Sequence, residues 1–285
     1  MTAKTAWLTL LATIAFSANS LLCRLALGGE LIDPVSFSTI RLISGALCLL
    51  CILLPGGQLQ KSGSTNWRTT VALFVYMVCF SYGYVTLSAG TGVLILFVAV
   101  QVTMFSIALK HGERFSVPAW AGLAVSSGGI VYLVSPGVTA PDPLSALCMI
   151  LAGIGWGIYS VVGSDKTAAG IATARNFIGA VPLALAVQLV FIQNTSLSPE
   201  GIALAIISGA VTSALGYFIW YKALRGLTVG FAAAVQLAVP LLVVLGGGLL
   251  LNEALTPRLA IASVVTIGGI AVMLRSRQTF TARSH

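Results

Sequence analysis

Apolar runs long enough to cross a lipid bilayer fill almost the whole chain. Ten can be marked, at about 5–27, 34–54, 67–87, 91–109, 117–135, 144–163, 169–192, 200–222, 228–250 and 258–275. Each comes close to the ~20 residues that a helix needs to span a hydrocarbon layer of ~30 Å. Only a helix or a closed barrel can satisfy its own backbone polar groups in lipid, and unbroken apolar runs of this length fit the helix. Charged residues make up 8% of the chain, against about 25% in a soluble domain, so water is excluded as the solvent. The linkers are too short to hold a separate soluble domain. Turn chemistry marks the breaks: Gly28-Gly29, Pro55-Gly56-Gly57, Gly90, Pro136-Gly137, Pro141, Gly226 and Pro257. Pro34, Pro118 and Pro199 sit where helices are expected to begin, whereas Pro182 and Pro240 fall inside helices and are expected to kink them.

The ten runs are two sets of five. Glu113 is followed fifteen residues later by Gly128-Gly129-Ile130, and Glu253 fifteen residues later by Gly268-Gly269-Ile270, so the second pattern repeats the first at an offset of 140. Phe16-Ser17-Ala18-Asn19-Ser20 aligns with Trp156-Gly157-Ile158-Tyr159-Ser160 at the same offset, and Arg41 aligns with Arg175 at 134. A tandem repeat of residues 1–140 and 141–285 follows. Because the first run has a counterpart in the second half, it is read as a retained helix and not as a signal peptide.

Charge sets the orientation. With the N-terminus in the cytoplasm and strict alternation, cytoplasmic segments collect eleven of the fifteen basic residues, and both termini fall on that side. The net charge of +8 is therefore a record of topology and not a nucleic-acid footprint. Five spans per repeat is an odd number, so the second repeat enters the bilayer from the opposite side. The expected fold is an all-α membrane protein of ten transmembrane helices in two inverted five-helix repeats. Such inversion is a recurring design of secondary transporters.

Little in the sequence points to chemistry. The only histidines, His111 and His285, fall in a loop and the tail, and no carboxylate pair lies inside a run, so neither an enzyme nor a cofactor or metal site is expected. Cys48 and Cys51 share a Cys-x-x-Cys spacing inside an apolar run and are read as packing residues.

Binding candidates come from polar and aromatic residues within the runs. Phe16, Asn19, Ser20 and Cys23 share a helix face at spacings of three and four, as do Trp156, Tyr159, Ser160 and Gly163 in the matching run. Tyr76, Phe80 and Tyr84 make one aromatic stripe, and Ser213, Tyr217, Trp220 and Tyr221 another. Gln101, Asn176 and Gln236 add hydrogen-bonding groups. Arg41 and Arg175 are the charges well inside runs; Arg41 lies seven residues past Pro34, ~10 Å along a helix. An arginine facing lipid at mid-bilayer costs ~3 kcal/mol, so each is expected to face a cavity or a partner. The predicted substrate-binding set is Asn19, Ser20, Arg41, Phe80, Tyr84, Gln101, Trp156, Tyr159, Arg175, Asn176, Tyr217, Trp220 and Gln236. Small residues at spacing four, Gly153 with Gly157 and Ala124 with Gly128, are expected to mark tight helix crossings.

The chain resembles the EamA family of the drug/metabolite transporter superfamily, one EamA unit per half. The residues that carry this are Trp156-Gly157, Pro34 with Arg41, Pro240 and Glu253 around the ninth run, Glu113 after the fourth, and the two Gly-Gly-Ile motifs. Phe16-Ser17 stands where the family usually has Trp-Gly, and Val100 where a proline would match Pro240. The resemblance implies two inverted bundles, with helices 1–4 and 6–9 around a central cavity and helices 5 and 10 to the side. It also implies export of amino acids or other small metabolites. The expected protein is thus a secondary transporter working by alternating access in a cell membrane, the bacterial inner membrane by family. Its partners are the lipid bilayer and a small-molecule substrate, with no nucleic acid, and it is a monomer or weak homodimer. A membrane receptor or scaffold without transport is the alternative.

Overall fold

A computed structural model describes residues 2–54, 66–112, 114–135, 140–162, 169–224, 226–227 and 235–282. The chain forms α1 (Ala3–Gly28), α2 (Pro34–Leu53), α3 (Trp67–Thr86), α4 (Ala89–Lys110), α5 (Val117–Val134), α6 (Pro143–Val162) and α7 (Ala169–Val190). A three-part helix follows, here α8: Pro199–Ile207, then the π-helical Ser208–Leu215, then Gly216–Leu224. Helices α9 (Ala238–Leu250) and α10 (Pro257–Ala282) complete it. Nine helices among the described residues are long and apolar enough to cross a membrane, which defines a multi-pass membrane protein. The ninth run gives α9, whose 13 residues reach only ~20 Å; residues 228–234 at the head of that run lie outside the described residues.

Helix starts follow local chemistry. Asp33, Asp142, Ser198 and Thr256 each stand directly before a proline that opens α2, α6, α8 or α10. Proline suits the first turn, where its missing N–H would be unbonded anyway, and the preceding side chain caps the turn. Asp33 Oδ1 accepts from the N–H of Val35 and Ser36 at 3.1 and 2.8 Å, and Ser198 Oγ accepts from Gly201 N at 3.0 Å. Pro182 lies inside α7 as expected, whereas Pro240 falls in the first turn of α9, where it costs the helix no internal bond.

Packing between the halves is reciprocal. α6 lies against α3 and α4, and α1 against α8 and α9; α2 crosses both α7 and α8, and α3 crosses α7. α5 and α10 pack mainly on each other and stand beside the bundle against α4. Glycines permit these approaches. A Cβ on Gly153 would sit 2.6 Å from Leu96 O, and one on Gly157 2.8 Å from the Thr103 Cβ, so both belong to the α4–α6 crossing as the spacing predicts. The α5–α10 seam differs from the expectation. Ala124 and Gly128 are exposed, and a Cβ on Gly128 would meet nothing within 4 Å. Gly122, Ser126 and Gly129 instead face Thr266, Gly269 and Met273, with a Gly122 Cβ only 2.6 Å from Gly269 O. Adjacent positions are ~100° apart around a helix, so the Gly128-Gly129 pair does not tell which glycine faces the partner.

Several helix ends meet at one pole of the bundle. Asp33 N donates to Ser196 O and Asp33 Oδ2 accepts from Ser196 N, so the α1–α2 loop lies on the α7–α8 loop. Thr86 Oγ1 donates to Ser145 Oγ at 2.7 Å, joining the end of α3 to the start of α6. Arg258 at the start of α10 donates to the carbonyls of Tyr132 and Ser135 at the end of α5.

Candidate functional site

Arg41 is 0% exposed, at the crossing of α2 with α8. Two glycines make that crossing close: a Cβ on Gly209 would lie within contact of Arg41 O, and one on Gly45 would strike the Phe177 ring. The guanidinium reaches side chains from three other helices. Nε donates to Ser213 Oγ of α8 at 3.1 Å, Nη2 to Tyr76 Oη of α3 at 3.5 Å, and Nη1 faces Cys23 Sγ of α1 at 4.0 Å. The face of the cation is covered by aromatic rings, with Cζ 5.1 Å from the Phe80 centroid and 5.6 Å from that of Tyr76. A desolvated cation on such faces gains ~2 kcal/mol, comparable with the cost of placing arginine in the bilayer.

The rings continue as a connected series. Tyr84 meets Phe80 at 4.8 Å, Phe80 meets Tyr76 at 5.3 Å, and Tyr76 meets Trp156 at 5.0 Å. Trp156 touches Tyr159 at 5.5 Å and Tyr217 at 5.1 Å; Phe16 then links Tyr217 to Trp220 at 5.8 and 5.9 Å. The expected positions Arg41, Phe80, Tyr84, Trp156, Tyr159, Tyr217 and Trp220 thus lie in one central cluster, drawn from both halves of the chain. The Tyr217 hydroxyl is buried without a hydrogen-bond partner among the described residues.

The remaining candidates have other settings. Asn19 Oδ1 accepts from Ser208 Oγ at 2.9 Å and Thr212 Oγ1 at 3.1 Å, tying α1 to α8. Asn176 Oδ1 likewise accepts from Thr69 Oγ1 at 2.9 Å and Thr70 Oγ1 at 3.1 Å, tying α7 to α3. Ser20 is buried; Gln101, Gln236 and Arg175 are half-buried. Arg175, the repeat counterpart of Arg41, therefore does not share its complete enclosure. Cys23, Tyr76 and Ser213, the side-chain partners of Arg41, stand on the faces marked by sequence spacing but are absent from the predicted set. Ser208, Thr212 and Ser213 all lie in the π-helical stretch of α8, where the wider turn changes which side chains face α1 and α2. π-helical turns are frequent at functional sites.

A second polar group closes the pole described above. Arg24 Nε donates to Glu253 Oε1 at 2.9 Å, the one ion pair among the described residues. Both carboxylate oxygens of Glu253 accept from Ala89 N, at 2.8 and 3.1 Å, at the positive N-terminus of α4. Arg24 Nη1 donates to the carbonyls of Tyr84 and Val85 at the end of α3. This latch joins α1, the α3–α4 turn and the α9–α10 loop. Glu113, which the repeat aligns with Glu253, lies outside the described residues.

A bundle of apolar helices that encloses a buried cation and a connected series of aromatic rings is a polytopic membrane protein. The chain belongs to the EamA-like transporter family, whose model matches it twice, over residues 3–135 and 143–275. An uncharacterized protein of Pseudomonas aeruginosa is 45% identical over 280 residues, covering 98% of both chains. A protein of Streptantibioticus cattleyicolor named "Probable terminal-alkyne amino-acid exporter" is 24% identical, over 98% of this chain and 96% of its own. An "Uncharacterized transporter" of Archaeoglobus fulgidus is 21% identical over 95% of this chain. A solved crystal structure with 18% identity shares the fold at a TM-score of 0.64, covering 93% of this chain and 98% of the other.

Proposed function

We propose that the protein is a secondary transporter that exports a small organic metabolite, such as an amino acid, by alternating access around the Arg41 centre. The observation that carries this reading is the complete burial of Arg41 among side chains of α1, α3 and α8. A charge kept inside a membrane protein and lined by several helices marks a substrate or ion path by default. The site residues in this reading are the predicted set, with Arg41 and the aromatic rings in contact with substrate. Asn19 and Asn176 hold neighbouring helices beside it.

Ten helices in two inverted repeats, residues 1–140 and 141–285, complete the proposal. Support for the inversion comes from the pole where helix ends meet. It gathers the C-terminal ends of α1, α3 and α5 together with the N-terminal ends of α6 and α10, the repeat counterparts of α1 and α5. In this reading the membrane is a bacterial inner membrane, both termini lie in the cytoplasm and the Arg24–Glu253 pole lies outside, which the distribution of basic residues favours. Export is favoured by the Streptantibioticus relative, which is named as a probable amino-acid exporter. The unit is a monomer or weak homodimer, and catalysis has no part in it.

Counterflow in proteoliposomes tests this. Vesicles loaded with a single amino acid, scanned across the common set, should take up the same labelled amino acid for at least one member. Arg41→Ala should abolish that uptake while remaining inserted. No counterflow for any amino acid or simple organic acid would leave the receptor or scaffold reading in its place.

A further inference from the structure

We infer that the centre is a carboxylate clasp, in which the Arg41 guanidinium, flanked by the hydroxyls of Tyr76 and Tyr217, binds the acid group of a small monocarboxylate with an apolar or aromatic body. This deepens the transport reading by naming the substrate class of the same site, and binding can be measured without transport.

Three observations converge on it. First, the buried guanidinium has no acidic partner among the described residues, where Glu253 is paired with Arg24 instead. Burying an unpaired charge is costly, and proteins ordinarily supply a counter-charge from somewhere. Second, the fork is underused. A guanidinium offers five N–H donors. Ser213 takes one at good length; the Tyr76 contact is at 3.5 Å, and the Cys23 thiol at 4.0 Å is a weak acceptor. Third, the Tyr217 hydroxyl is 4% exposed at the residue level and bonds nothing among the described residues. It stands near both Arg41 and Tyr76, the Tyr76 hydroxyl close enough to interact with it but outside the geometry of a full hydrogen bond. An unbonded buried hydroxyl costs about 1–3 kcal/mol, so a donor held there without a partner points to an acceptor that comes and goes.

The chemistry of that acceptor follows. It must carry one negative charge and several lone pairs, because one cation and two phenols converge on it. A carboxylate matches the planar fork and leaves lone pairs for the hydroxyls. A phosphate dianion would call for more cations than Arg41 supplies among the described residues of the cluster. Beyond the clasp lie the rings of Phe80, Trp156 and Tyr159, which suit an apolar or aromatic body. No acidic side chain joins the cluster among the described residues, so an amino group on the ligand is tolerated but not required.

The test is calorimetric binding to the purified full chain. The probes are phenylacetate and L-phenylalanine, each against its primary amide. Both acids should bind at least ~10-fold more tightly than their amides, the scale of a charge-assisted hydrogen bond. Tyr217→Phe removes a hydroxyl that bonds nothing, so thermal stability should hold or rise while acid binding weakens ~5-fold or more. Amide binding should not change. Arg41→Lys keeps the charge but loses the fork, and acid binding should fall by ~10-fold or more. Equal affinity for acids and amides, no binding of either acid, or unchanged acid affinity in Tyr217→Phe would each overturn the clasp. Acid-selective binding without vesicle flux would keep the clasp and remove transport. Flux indifferent to the carboxylate would keep transport and remove the clasp.

Discussion

Replacing Glu253 by glutamine should open the pole that its carboxylate closes. The Glu253 side chain is 14% exposed and that of Arg24 23%, so solvent screens the pair only in part. Glu253→Gln removes the charge from three contacts: the 2.9 Å bond from Arg24 Nε and the two bonds from Ala89 N at the start of α4. A carboxylate at a partly buried helix N-terminus is worth up to ~2 kcal/mol, and a partly screened ion pair adds ~1 kcal/mol or less. Glutamine retains a carbonyl that still accepts from Ala89, so the net loss is about 2 kcal/mol. At ~1.4 kcal/mol per factor of ten, the balance between closed and open forms moves ~30-fold towards open. Spin labels on Val85 and Leu255, both exposed and on opposite sides of the latch, read this by double electron–electron resonance in a cysteine-free background. Wild-type protein should give mainly the short distance, and Glu253→Gln a large longer component. Arg24→Gln should do the same, and the double variant should add little, because the two act as one unit. An unchanged distance distribution in both single variants would refute a latch and reduce the pair to surface decoration.

Other consequences follow from the same geometry. Gly269→Ala would put a Cβ 2.5 Å from Ser126 N and should cost ~1–3 kcal/mol, seen as a lower melting temperature, whereas Gly128→Ala meets nothing and should be neutral. Asn19→Ala, which leaves the hydroxyls of Ser208 and Thr212 without their shared acceptor, should lower stability by ~1 kcal/mol in a thermal melt. Cysteines at Asn66 and Thr195 should be labelled by impermeant reagents from the cytoplasm and the outside respectively; labelling of both from one side would break the topology. Exchange should not accumulate substrate against a gradient under an imposed pH difference, since no acid joins the Arg41 cluster among the described residues. Uphill uptake lost in Glu253→Ala would contradict that.

The membrane character and the central arginine were legible in the sequence for one reason: lipid tolerates so few charges that each exception must be accommodated. Arg41 stood out by its depth in an apolar run, and the aromatic stripes on α3, α6 and α8 by helical spacing. The latch was not legible. Arg24 and Glu253 read as separate residues near helix ends, and nothing local ties groups 229 positions apart. Nor was the π-helical stretch of α8, which contains no proline and turns Ser213 towards Arg41 by backbone geometry alone. Helix phase was the other gap. It cost the α5–α10 seam, where Gly129 and not Gly128 faces the partner helix, and it hid the difference between Arg41 and half-buried Arg175.

The central claim is that both faces of the membrane reach the Arg41 centre in turn. Cys23, buried with its thiol 4.0 Å from Arg41 Nη1, is a native reporter of that access. In a variant that keeps Cys23 and lacks Cys48, Cys51, Cys79 and Cys148, an impermeant thiol reagent should label it in right-side-out and in inside-out vesicles alike. Labelling from one side only, or from neither, would contradict alternating access at this site.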